Sequence, residues 1–171
     1  MNKEEREKIA REYFNQGYNC CQSVVMAFKD LSGVDEKSLL KLSVGLGGGV
    51  GRMREVCGCV CGMAVLSGLI APEGANPHEQ KMNAYTLTQK MSAEFKKETG
   101  SIVCRELLGG QQNSDGHHLQ EPSSDATTNS GQERSISPVP EKRTEEYYRK
   151  RPCIEMVALA ARIVSESLGE E

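Results

Sequence analysis

Residues 45–70 read GLGGGVGRMREVCGCVCGMAVLSGLI, and the fold class turns on what the glycines between Gly45 and Gly51 are for. A glycine run that cradles a phosphate follows a strand, carries GxGxxG or a Walker lysine, and implies an α/β sheet. Here no lysine follows the glycines and GxGxxG fits at none of their registers. The residues before the run, with Leu39, Leu42 and Leu46, repeat at helical spacing. The run is therefore a turn that lets the backbone pass close to whatever Cys57 holds, and about 54–70 form an apolar helix. Within it Gly58 and Gly62 stand four apart, followed by Ala64 and Gly68. Small residues at this spacing admit a second helix closely, although glycine costs helix stability.

Outward from this segment the pattern stays helical. Residues 3–16 carry Ile9, Ala10, Tyr13 and Phe14 on one side and stop at Gly17. Asn19 opens a second helix with Gln22 as its capping-box partner, and Cys20, Val24, Phe28 and Leu31 form its apolar face. A third helix spans about 35–44. Asn76, Pro77 and Glu79 mark the clearest start in the chain, and that helix runs through Ala84, Leu87, Met91 and Phe95 to Gly100. A short helix surrounds Cys104 and ends at Gly109. The last, about 152–168, places Ile154, Val157, Ala158, Ala161, Val164 and Leu168 at helical spacing. No period-2 strand pattern competes. The expectation is an all-α bundle of six to seven helices forming a single domain over 1–171.

One stretch breaks the domain. Residues 111–142 have almost no apolar side chains and three prolines, too little burial to offset the entropy of ordering, so a disordered insert is expected there. Its His117 and His118 read as solvated, and His78, in a helix's first turn, as a surface residue.

Composition narrows the function. The formal net charge of −3 and the lack of an aromatic-studded basic stretch argue against nucleic-acid binding. No apolar run reaches membrane-spanning length and no signal region opens the sequence, so a cytoplasmic protein without membrane insertion is expected. Seven cysteines, an odd count without an export signal, fit reduced thiols better than a disulfide framework. CxxC is absent, so neither a zinc ribbon nor a thioredoxin motif is present. No Ser/His/Asp arrangement or paired carboxylate site stands out.

Four of the cysteines, Cys20, Cys57, Cys104 and Cys153, fall where helices begin, several with arginine nearby: Arg52 and Arg54 before Cys57, Arg105 after Cys104, Arg149 and Arg151 before Cys153. Unpaired N–H groups and the positive end of the macrodipole favour an anion at a helix start. A cysteine there tends toward thiolate, which ligates metals and exchanges disulfides. The four are expected to converge. Cys57 and Cys61 share a helical face about 6 Å apart, whereas Cys59 points nearly opposite. An extended CxCxC strand would instead put Cys57, Cys59 and Cys61 on one face. Cys59 and Cys61 read equally well as small packing residues. Of the adjacent pair, Cys20 faces the site and Cys21 packs.

These motifs resemble the C_GCAxxG_C_C family of redox-active proteins. YNCCQSV matches the first cysteine region, GLGGGVGRMREVCGCVCG the glycine run and CGAxxG element, FKKETGSIVCRELLGG the third cysteine and CIEMVALAARIV the fourth. The resemblance covers nearly all the chain outside 111–142 and carries the family's four cysteines onto Cys20, Cys57, Cys104 and Cys153. Cys59 stands where the family has alanine, Cys21 where a small residue is usual, and Cys61 is extra. The family is similar to the non-haem part of split-Soret cytochromes, which implies an iron–sulfur cluster, of the [2Fe–2S] kind, on those four thiols. Members are often encoded beside transporters, implying a functional link to one. The expected function is electron transfer with an unidentified donor or acceptor. A metal-free thiol–disulfide oxidoreductase and a structural zinc site held by the four cysteines are the alternatives, and enzyme status and homo-oligomer formation stay open.

Overall fold

The computed structural model describes residues 1–109 and 137–170. All regular elements among them are helical: α1 (Lys3–Asn15), α2 (Cys20–Met26), α3 (Lys29–Ser32), α4 (Glu36–Ser43) with a 3-10 turn Val44–Leu46, α5 (Gly58–Ile70), α6 (Pro77–Thr99), α7 (Cys104–Gly109), α8 (Glu145–Lys150) and α9 (Cys153–Leu168). Among the described residues the single β contact is an isolated antiparallel bridge between Val56 and Val103. None of the described helices is long and apolar enough to cross a membrane.

The all-α expectation holds, and its starts hold best where a side chain caps the helix. Asn19 accepts from the Gln22 amide while the Gln22 side chain accepts from the Asn19 amide, a complete capping box. Asn76 accepts from the amides of His78 and Glu79 with Pro77 in the first turn. The Glu79 carboxylate bonds the Ala75 amide rather than closing the box on Asn76.

Other boundaries differ from the sequence pattern. The second helix stops at Met26, and the chain kinks at Phe28 before α3, which leaves Leu31 exposed. Of the α4 stripe only Leu39 is buried; Leu42 faces solvent. The apolar helix begins at Gly58, because residues 48–54 are held in a compact loop. The element α8, just after the expected insert, is additional.

Helices α1 and α9 pack along each other, and α5 fills the gap between α2, α6 and α9. Phe14, Val24, Phe28, Met63, Leu66, Met91, Phe95, Val157 and Val164 form the core. Gly62 makes the α2–α5 crossing: an added Cβ there would meet Val24 Cβ at 2.8 Å. Gly68 has nothing within 4 Å and plays no such part. Arg6, only 1% exposed, lies over the Phe28 ring, donates to the Ala27 carbonyl, and pairs with Asp30 and Glu170.

Candidate redox site

Cys20, Cys104 and Cys153 are the first residues of α2, α7 and α9, and Cys57 is the N-cap of α5. All four line one cavity of about 390 Å³. Residues separated widely along the chain thus line one cavity.

Backbone pairing aligns two of the starts. Around the Val56–Val103 bridge the Cys57 amide donates to the Ile102 carbonyl at 2.8 Å, and the Cys104 amide donates to the Glu55 carbonyl at 2.6 Å. The Asn19 cap that begins α2 also donates from its side-chain nitrogen to the Val44 carbonyl at 2.9 Å, tying α2 to the glycine run. A Cβ on Gly47 would overlap the Asn19 side chain, and one on Gly49 would lie 2.7 Å from Cys104 Cβ. The glycines are there so that backbone can press against the cysteine-bearing segments.

The loop is also wound the unusual way. Gly48, Gly49, Val50, Gly51 and Arg52 have consecutive positive φ angles of 66°, 74°, 59°, 56° and 67°, and Arg54 follows at 62°. Left-handed backbone costs an L residue of order 1–2 kcal/mol, and a β-branched valine there is a genuine outlier. Strain of this kind collects at functional sites. Here it turns Arg52 and Arg54 toward the cavity, which both line.

Residues 18–167 match a family model described as "Putative redox-active protein (C_GCAxxG_C_C)". The chain belongs to that family. Comparisons with curated proteins and with solved structures found no significant match.

In this C_GCAxxG_C_C protein the thiols are not equivalent. Cys20 is held well below the ordinary thiol value, chiefly because Cys153 and then Cys59 hydrogen-bond its sulfur, with the Arg143 charge assisting against burial. The donors move the other way. Cys153 is raised by giving its proton to that bond and by burial. Cys59 is raised by burial and by the same interaction. Burial also raises Cys104, opposed by Arg54, whose guanidinium donates to Cys104 Sγ at 3.9 Å. Cys61, outside the cavity wall, is pushed up to about 11 by burial. Cys21 is raised by burial too, and packs in a separate cluster with Val25, Met26 and Leu39.

Cys59 takes its packing alternative: it is fully buried and does not line the cavity of the four helix-start cysteines. Three other readings from sequence need correction. The extended CxCxC alternative is not formed, since Cys59 and Cys61 are helical.

The arginines do not all serve the cysteines next to them in sequence. Arg54 reaches Cys104, Arg105 pairs with Glu55, and the cation beside Cys20 is Arg143.

The insert expected over 111–142 ends too late. Residues 110–136, with His117 and His118, lie outside the described residues. Residues 137–142 are placed against the site, where Pro138, Pro140 and Glu141 line the cavity. Sequence reasoning missed this strap because its polar composition hides a function that depends on charge: Glu141 pairs with Arg151, Arg54 and Arg52. A lone acid facing basic residues distant in sequence was the available signal.

The cavity can be tested against the groups it might hold. Among the described residues no three Cys, His, Asp or Glu side chains come close enough to hold one metal ion. Four thiols spaced around a cavity suit a larger, thiolate-held group.

Proposed function

We propose that this redox-family protein carries an iron–sulfur cluster, of the [2Fe–2S] kind, on Cys20, Cys57, Cys104 and Cys153, and transfers electrons. The observation that carries the reading is the single cavity lined by all four thiols. Such a group would supply one-electron chemistry when bound, with a potential set by its charge, burial and hydrogen bonds. The chain's part is to present thiolate at Cys20, where the pKa already lies low, and to surround negative charge with Arg54, Arg143 and Arg151. Helix starts at each cysteine add further positive potential. A cytoplasmic setting, in which thiols stay reduced, suits this chemistry.

A second reading is a metal-free dithiol, favoured by Cys20 and Cys153 lining the same cavity, with the Cys20 thiol held low. In it, an electron acceptor takes two electrons and the Cys153 proton leaves as the bond forms between the Cys20 thiolate and Cys153; reduction reverses both.

Anaerobic purification followed by a visible spectrum and iron, sulfide and zinc analysis separates the readings. Visible bands with about two irons per chain, lost in Cys57→Ser, are expected. Colourless, metal-free protein with two oxidisable thiols would establish the dithiol instead, and one zinc per chain would exclude both.

A further inference from the structure

Among the described residues, the wall of the thiol cavity carries more arginines than acidic side chains. Arg151 grips both oxygens of Glu141, at 2.7 and 2.6 Å, while Arg54 reaches the same carboxylate at 3.3 Å and Arg52 at 3.8 Å. Their side chains are 20%, 28% and 23% exposed and that of Glu141 43%, so the carboxylate stays open to solvent and to a competing anion. Paired guanidinium–carboxylate contacts are among the stronger hydrogen bonds in proteins. Three cations thus meet one anion, and a fourth arginine on the same wall, Arg143, has a buried Nη1 with no partner among the described residues.

The anion comes on a removable strap. Pro138 and Pro140 have no backbone N–H, so this segment cannot be tied down as a strand or hairpin would be. Besides Glu141, Arg52 holds it through the Ser137 carbonyl at 3.1 Å. Beneath the strap lies the cavity of about 390 Å³, a volume in the small-molecule range.

We infer that Arg52, Arg54 and Arg151 form a binding site for a carboxylate-bearing small molecule, and that Glu141 occupies it as the chain's own stand-in. An external carboxylate that takes the seat releases the strap and uncovers the cavity. A self-occupied site binds its ligand more weakly, in proportion to how often the seat is free. Removing the Glu141 charge should therefore strengthen binding. The inference concerns the arginines alone and does not depend on what the thiols hold.

Succinate is a suitable probe, with its neutral diamide as control, titrated calorimetrically into the full chain as purified. Glu141→Gln should bind succinate about tenfold more tightly than the unaltered protein, and adding Arg151→Gln to that variant should abolish the gain. The diamide should not bind. Equal or weaker succinate binding in Glu141→Gln overturns the inference, as does a gain that survives Arg151→Gln or is matched by the diamide. Each comparison is made between variants purified in the same state, coloured or colourless, so failure of the cluster reading leaves it standing.

Discussion

At the scale of single residues, the site is organised around one sulfur. Cys20 accepts from two neighbouring thiols while Cys153 and Cys59 keep their protons, so negative charge concentrates at one place. In metal-free protein, the pH profile of Cys20 alkylation by iodoacetamide should have its midpoint below the ordinary value of 9.0. Cys153→Ala removes the leading donor and should move that midpoint up; a midpoint at or above 9.0 in the unaltered protein would contradict the assignment. Cys57→Ser should abolish cofactor binding or redox response. Cys59→Ser should do far less, because serine retains a donor toward Cys20 at a position that does not line the cavity. Metal content and redox titration of the two variants check the ranking, and the reverse order would overturn it.

At the scale of elements, glycines do different things at similar spacing. Gly62 sits where α5 crosses α2, with Val24 Cβ 2.8 Å from an added Cβ, whereas Gly68 on the same helix has open space. Gly62→Ala should destabilise by about 1–3 kcal/mol through overpacking. Gly68→Ala should stabilise by roughly 0.5–1 kcal/mol through helix propensity. Urea unfolding of both variants tests this, and equal effects would mean that α5 does not cross α2 as described. The sequence pattern named both glycines as crossing residues, since spacing along one helix carries no information about where its partner ends. It was right about Asn19 and Asn76, because a cap is a local arrangement. It missed the break at Phe28, which depends on partners far along the chain.

Over the whole molecule, Arg6 fastens α1 to the Asp30 carboxylate after α2 and to Glu170 near the other end of the chain. Hydrogen bonding to Arg6 holds both carboxyls below their ordinary values. Carboxyls lowered in the folded state stabilise it above their unfolded values, near 4, and that contribution fades as pH falls through the folded ones. Arg6→Met should therefore cost about 3 kcal/mol at neutral pH, a gap narrowing below about pH 4; thermal unfolding across pH checks it, and a constant gap would refute the ionic origin. Nothing in the sequence pattern hinted at this buried arginine, whereas the placement of four cysteines at helix starts was legible, because helix starts and cysteines are both local signals. Cys20 and Cys153 line one cavity although most of the chain lies between them. A covalent bond there would close a loop of about 130 residues and remove roughly 5 kcal/mol of entropy from the unfolded chain. Oxidation would then act as a fastener as well as a chemical event: the protein's melting temperature would report its electron inventory, and proteolytic survival would depend on which form prevails.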